Sequence, residues 1–460
     1  MSLATALGVL VAQVDTSVVN LAVKRIGAEL GSTVSGMQWI VDAYNLVYAA
    51  LLLTAGAFGD RYGRRRIFVC GLLLFAAGSI LCAAAPNTAI LLAGRAITGF
   101  GAALELPMSL VLLTLAYPET KSRQRAVGLW ASCYGLAFVV GPTLGGSLVD
   151  TAGWRSIFCM VLPLCAAAIL LVRHASKESF APAGRRLDIP GQAAAVIALS
   201  GLSFAAIEGE HLGWSSVPVL AATAVGAIAV VGFVFIARRT AHGLVPSDLF
   251  QQAPFGVSVA IAGMMTLGMY ALLFLMPLYF QTVRGRGVLG AGLEMLPLST
   301  AYVLVSQWNG KIVQAVGARW TMATGMAAMG MGELACATIR ADTNGWYVSF
   351  ALCVVGVGLG LNTAPVNNVA MSSAPRSRAG LASGLLNTSR MIGATLGVAV
   401  LGALFVRFAG PAPSAQTFGA GLKAALGAGG AVELVGAFVA AIFIRPTARR
   451  ATNRRRPLAA

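Results

Sequence analysis

Gly135-Leu-Ala-Phe-Val-Val-Gly141-Pro142-Thr-Leu-Gly145-Gly146 sits in the middle of a long apolar stretch. Four glycines and a proline weaken a helix, and a bilayer holds no water to satisfy the backbone groups they free. Such a segment is tolerable when a neighbouring helix packs closely on the bare backbone. It therefore reads as a small-residue seam inside a membrane-spanning bundle.

The rest of the chain agrees. Of its 460 residues, 57% are hydrophobic and 11% charged, with a mean hydropathy of +0.79. Soluble domains carry about 25% charged residues. A spanning helix needs about 20 apolar residues. By that rule the sequence predicts fourteen spans, with cores near 3–23, 39–58, 67–85, 89–116, 127–149, 154–173, 189–207, 216–237, 254–279, 289–309, 318–338, 346–371, 380–405 and 421–444. The seventh, the tenth and the last are the weakest, the last being interrupted by Lys423 and Glu433. Only Met1 and Ser2 precede the first apolar run, so the basic region of a cleavable leader is missing. The seven cysteines all fall in apolar segments, without metal-ligand spacing.

The net charge of +17 invites a nucleic-acid reading, but its placement follows the membrane. With the amino terminus inside, inner loops and the carboxyl tail hold 23 Lys and Arg, and the outer side holds 7. That asymmetry puts both termini in the cytoplasm. The basic tail 446–460 reads as a solvated or lipid-headgroup contact, not an RNA site.

The chain also repeats. Gly56, Gly63 and Gly71 align with Gly310, Gly317 and Gly325 at an offset of 254, and Gly128, Gly141 and Gly146 align with Gly384, Gly397 and Gly402 at 256. That offset equals eight spans. Two six-helix halves separated by an extra pair account for it, with bundles at 1–175 and 241–445 and the inserted pair at 176–240. Parallel repeats of this kind mark one large class of secondary transporters.

The motifs then resemble one family. Gly56-Ala-Phe-Gly-Asp60-Arg61-Tyr-Gly63-Arg64-Arg65-Arg66 is similar to the loop signature between helices 2 and 3 of the major facilitator superfamily. Arg95-Ala-Ile-Thr-Gly99-Phe-Gly101 resembles its helix-4 motif, and the 135–146 segment its helix-5 antiporter motif, usual in exporters and usually lacking in importers. Asp15-Thr-Ser-Val-Val-Asn20 and Trp39-Ile-Val-Asp42-Ala-Tyr44 resemble helices 1 and 2 of fourteen-helix drug:proton antiporters that export quaternary ammonium compounds. The second loop copy is degenerate, with Gln314 where Asp60 would align. The resemblance implies an all-α integral membrane protein of the major facilitator fold, with two six-helix bundles plus two inserted helices.

Ionisable groups inside a membrane are costly and usually functional. Asp15 lies roughly 12 Å from the outer end of its helix and Arg95 roughly 9 Å from the same side, so the two can meet. A carboxyl poised between desolvation and a guanidinium can bind and release a proton. Asp15, with Arg95 and Glu105, is therefore expected in proton coupling; a static charge pair is the alternative. Pro107, close to Glu105, is expected to open the helix beside it. Asp42, Tyr44, Glu294 and Asn362 are expected to contact substrate, acids and aromatic rings suiting a lipophilic cation. An interfacial acid is the other reading of Asp42, and a helix–helix bond that of Asn362. Tyr48, Tyr270 and Phe274 are further aromatic candidates. In the loop, Gly56, Asp60, Arg61, Gly63, Arg64 and Arg65 are expected to latch helix ends as a gate; a plain positive-inside cluster is the alternative. Gly135, Gly141, Pro142, Gly145 and Gly146 are expected to pack against the other half.

No Walker-type loop or catalytic constellation is present, nor a repeated pore loop, so an enzyme, an ATP-driven pump and a channel are all disfavoured. The expectation is a monomeric antiporter without cofactor or metal. It would exchange protons for small lipophilic, cationic drugs or toxic compounds across a bacterial plasma membrane. Dedicated export of one endogenous metabolite, antibiotic or siderophore is the runner-up.

Overall fold

The computed structural model describes residues 1–117, 119–180, 188–239, 247–375 and 379–444. The basic tail 446–460 lies outside them. Among the described residues every regular element is helical.

Fourteen rods follow one another, one for each expected span. They are α1 (Ser2–Leu30), α2 (Val34–Tyr62), α3 (Arg64–Ala83), α4 (Thr88–Ala116) and α5, which runs Thr120–Val140, a π-turn Gly141–Gly145, then Gly146–Ala152. Next come α6 (Arg155–Ala175), α7 (Ile189–Leu212), α8 (Val217–Arg239) and α9 (Ala253–Thr282). The last are α10 (Val288–Glu294 and Leu296–Val316), α11 (Ala318–Ala337), α12 (Gly345–Ser373), α13 (Ala379–Leu396, π-turn Gly397–Leu401, Gly402–Ala409) and α14 (Ala415–Phe443). Ten are long and apolar enough to cross a membrane alone, and the bent α2 and α10 raise that to twelve. α11 carries Arg319 and Glu333 within 20 residues, which dilutes its apolarity. α14 runs unbroken through Lys423 and Glu433, and α4 through Pro107.

Glycines at positive φ end six of the described rods, among them the first two. Gly31 closes α1 at φ 64°, and Gly63 turns α2 into α3 at φ 104°. Both conformations are strained for any residue with a Cβ.

Packing repeats with the sequence. In the first half α3 packs on α4, α2 on α4, α1 on α5 and on α6, and α3 on α6. In the second, α11 packs on α12, α10 on α12, α9 on α13 and on α14, and α11 on α14. The inserted α7 and α8 pair with each other. α7 also touches α2 and α13, one helix from each half, while the most apolar window of α8 is only 11% buried and faces outward.

The halves are bonded at the end where α1 finishes and α2 begins. There Lys24 Nζ donates to the Gln281 carbonyl at 2.7 Å, and Gln281 Nε2 donates to the Leu21 carbonyl at 2.9 Å. Gln38 Nε2 donates to the Val398 carbonyl at 2.8 Å. Asp150 accepts from the first backbone N–H groups of α10. This end of the bundle is closed.

Candidate functional site

Asp15 on α1 and Arg95 on α4 meet inside the first half. Arg95 Nη1 donates to Asp15 Oδ2 at 2.6 Å, and Arg95 Nε donates to the Ile40 carbonyl of α2 at 3.0 Å. Beneath them, Tyr44 presents its ring 4.6 Å from the guanidinium carbon and edges against Phe75. Asp15 is 4% exposed and Arg95 1%. One guanidinium thus ties three helices together. Removing one partner of such a pair strands a buried charge, at a cost of about 3–5 kcal/mol. Glu105 lies ten residues farther along α4, about 15 Å away. It is wedged where Gly8 of α1 and Gly71 of α3 leave room, and neither carboxylate oxygen has a hydrogen-bond partner among the described residues.

The 135–146 segment packs on two neighbours. A Cβ at Gly141 would strike Ser17 of α1, and one at Gly145 would strike Val18. A Cβ at Gly146 would come 2.8 Å from the Leu289 Cα of α10, and Gly292 of α10 sits on the Pro142 carbonyl. Close packing on the other half, the arrangement expected of all five residues, is seen at Gly135, Pro142 and Gly146. The expectation is corrected for Gly141 and Gly145, which face their own half because the π-turn rotates successive glycines onto different sides. Gly135 lies deeper, against Val303 of α10. The second half repeats the device. Gly397 opens another π-turn and packs on Leu267 of α9, while Gly402 packs on Gln38 of α2. The two halves clasp each other by equivalent helix pairs, α5 with α10 and α13 with α2.

In the α2–α3 loop, Arg64 Nη2 donates to Asp60 at 2.8 Å across the Gly63 turn. Arg61 is exposed and lies over the Tyr62 ring. The sequence reading missed Glu178. Its carboxylate accepts the N–H groups of Arg65 at 3.0 Å and Arg66 at 3.1 Å, at the start of α3 where a negative charge is favoured. Arg65 Nη1 also donates to the Ser176 carbonyl at 2.8 Å. The arginines thus hold the chain leaving α6 against the loop. A Cβ at Gly56 would meet no neighbouring element within 4 Å.

The four residues expected at substrate are placed as follows. Asp42 is fully buried and faces the Ser203 hydroxyl of inserted α7. Tyr44 underlies Arg95 inside the first half. Glu294 pairs at 3.1 Å with exposed Arg286, because α10 bends by 40° just beyond it and turns that stretch toward the loop. Asn362 donates to the Gly358 carbonyl at 3.2 Å and abuts Gly325, joining α12 to α11. Asn309, unremarked in the sequence, does similar work from α10, donating to the Gly360 carbonyl at 2.6 Å. Between the halves, Phe138 of α5 meets Tyr302 of α10 edge-on at 5.9 Å. Tyr270 of α9 packs against two neighbouring apolar clusters, and Arg390 of α13 lies near both tyrosines. The signal for Arg390 was a lone cation within an apolar span.

A family model described as Major Facilitator Superfamily matches residues 5–398. The multidrug resistance protein Stp of Mycobacterium tuberculosis (strain ATCC 25618 / H37Rv) is 35% identical over 402 residues, 87% of this chain and 75% of that one. The methylenomycin A resistance protein of Streptomyces coelicolor (strain ATCC BAA-471 / A3(2) / M145) is 34% identical over 406 residues, 87% of this chain and 84% of that one. In fold, a crystal structure of the peptide transporter POT in complex with sulfate superposes with a TM-score of 0.70 at 16% identity, covering 95% of this chain and 93% of that one. With its repeated six-helix halves and the motifs on them, the chain belongs to the Major Facilitator Superfamily and is a multi-pass membrane transporter, not an enzyme.

Proposed function

We propose that the chain is a proton-coupled antiporter that exports small lipophilic compounds, cations among them, across a bacterial plasma membrane as a monomer with both termini in the cytoplasm. The observation that carries the reading is the buried Asp15–Arg95 pair, in a chain whose relatives are named for drug and antibiotic resistance. A carboxyl held by one guanidinium has two stable arrangements, paired and ionised or separated and protonated. A shift of the first half that lengthens the 2.6 Å contact would exchange one for the other. The closed α1–α2 end, taken as the outer face, makes the present arrangement inward-facing. The division into 1–175, 176–240 and 241–445, with a basic tail 446–460, belongs to the same reading. Dedicated export of one compound is the second reading, favoured by the relative named for methylenomycin A alone.

A susceptibility panel in an efflux-deficient host tests the substrate class, comparing lipophilic cations with neutral and anionic compounds. Protection against cations supports the reading; a list of neutral and anionic substrates alone refutes its cationic part. Asp42→Asn should weaken export of divalent cations more than monovalent ones, since a second charge needs a second partner. Reporter fusions after Ala460 and in the 208–215 loop should report inside and outside respectively.

A further inference from the structure

The second half holds two buried acids that the Asp15–Arg95 centre does not use. α11 and α14 cross with their backbones in contact. A Cβ at Gly330 would lie 2.7 Å from the Gly430 carbonyl, and one at Gly430 would lie 2.7 Å from the Gly330 carbonyl. Glu333 and Glu433 each stand three residues beyond that crossing, so the helices aim both side chains at one place. The place is Gly268 of α9. The position its Cβ would take lies 2.6 Å from Glu333 Oε1 and 2.7 Å from Glu433 Oε1, so the two oxygens are at most about 5.3 Å apart. Gly429 of α14 leaves room for Glu333 Oε2 in the same way.

Both glutamates are fully buried, and none of their four carboxylate oxygens has a hydrogen-bond partner among the described residues. Leu401 of α13 packs at the site, and Cys336 stands near Glu333 on α11. No cation sits among the neighbours named. Arg319 and Lys423 of the same two helices are about 21 Å and 15 Å away along their axes, and Arg340, just past the end of α11, is about 10 Å from Glu333. Two carboxylates this close in a dry site cannot both stay ionised, and among the described residues no cation is seen in contact with either. A single proton between them removes one charge and supplies a donor for the other group, giving a short charge-assisted hydrogen bond. The helix ends above the pair flank a cavity of about 480 Å³ lined by Ala337, Thr338, Arg340, Gln416 and Lys423. Glu333 lies one turn inside Ala337, which gives the proton a short way to water.

We propose that Glu333 and Glu433 form a second proton-binding site, holding one proton between them in the α9–α11–α14 seam. The site stands on its own geometry; its part in transport rests on the proton-coupled reading above. The pair titrates as a unit, and its proton is taken from and returned to water in the cavity.

Infrared spectroscopy of the full-length protein in lipid nanodiscs tests this. The difference spectrum between wild type and the E333Q/E433Q double variant, at neutral pH, should contain one protonated-carboxyl band, shifted in D2O, and one carboxylate band. Asp15→Asn should leave that difference unchanged. E333Q alone, which keeps a hydrogen-bonding partner for Glu433, should replace the pair's bands by those of a single acid. Two carboxylate bands, or two protonated ones, overturn the shared proton. A protonated band that vanishes when sodium chloride replaces choline chloride overturns it in favour of a metal cation. In proteoliposomes the double variant should slow pH-gradient-driven export at least tenfold while exchange without a gradient persists; unchanged gradient-driven export overturns the site's role in transport. If a pH gradient fails to drive export by the wild type, the coupling reading falls while the infrared result still decides the site.

Discussion

The carboxylate of Asp150, near the end of α5, accepts the backbone N–H groups of Val288 at 3.1 Å and Leu289 at 2.8 Å. These are the first free donors of α10, where the helix dipole favours a negative charge. A single residue of one half therefore caps a helix of the other, immediately beside the Gly146–Leu289 contact. Asp150→Asn keeps one acceptor and loses the charge. At an exposed site that is worth about 1 kcal/mol, or roughly fivefold in the closed-to-open ratio. Accessibility of a cysteine placed at Leu289 to a polar thiol reagent should rise by about that factor in the variant. Unchanged accessibility removes Asp150 from the closure.

Gly141 and Gly146 should separate in their effects. Gly146→Leu drives a side chain into the α10 backbone and should abolish the closed α1–α2 end, so the same accessibility assay should report a permanently open face. Gly141→Leu strikes Ser17 inside the first half, and should lower thermal stability and transport without fixing one face open. If both variants open that face equally, the assignment of the two glycines to different neighbours fails.

Asp15→Asn should lose accumulation against a gradient while substrate binding partly persists, because Asn preserves shape and removes the exchangeable proton. Everted vesicles energised by a pH gradient provide the measurement. Full active efflux by the variant would move coupling to Glu105 or to the Glu333–Glu433 pair. Arg95→Ala and Asp15→Asn each leave the other charge buried without its ionic partner, so each should lower stability, by about 3–5 kcal/mol before relaxation.

Glu178 should matter more than its place in a connecting segment implies. Its carboxylate accepts two backbone N–H groups at the start of α3 and lies within 3.8 Å of the Arg65 and Arg66 guanidinium nitrogens. Glu178→Ala removes a cap worth about 1 kcal/mol and frees the segment it anchors. Limited proteolysis should then cleave between Ser176 and Phe180 several-fold faster than in wild type, with the helical content retained. Equal cleavage rates would show that the Arg65–Ser176 bond alone holds the segment.

Hydropathy and glycine spacing were enough to mark the fourteen helical rods and the repeat between them. Each is a one-dimensional property that the bilayer imposes directly. The depth argument likewise brought Asp15 and Arg95 to one level, because the rise per residue sets depth. Rotation about each helix axis was not legible. In a membrane bundle both the buried and the lipid-facing sides are apolar, so periodicity does not say which way a side chain points. Asp42 and Tyr44 stand two residues apart on α2, yet one faces inserted α7 and the other lies beneath Arg95. Glu178 reaches α3 only through a turn of the chain. Glu333 and Glu433 are a hundred residues apart, and only the Gly330–Gly430 crossing, which no single span announces, decides that they share one site.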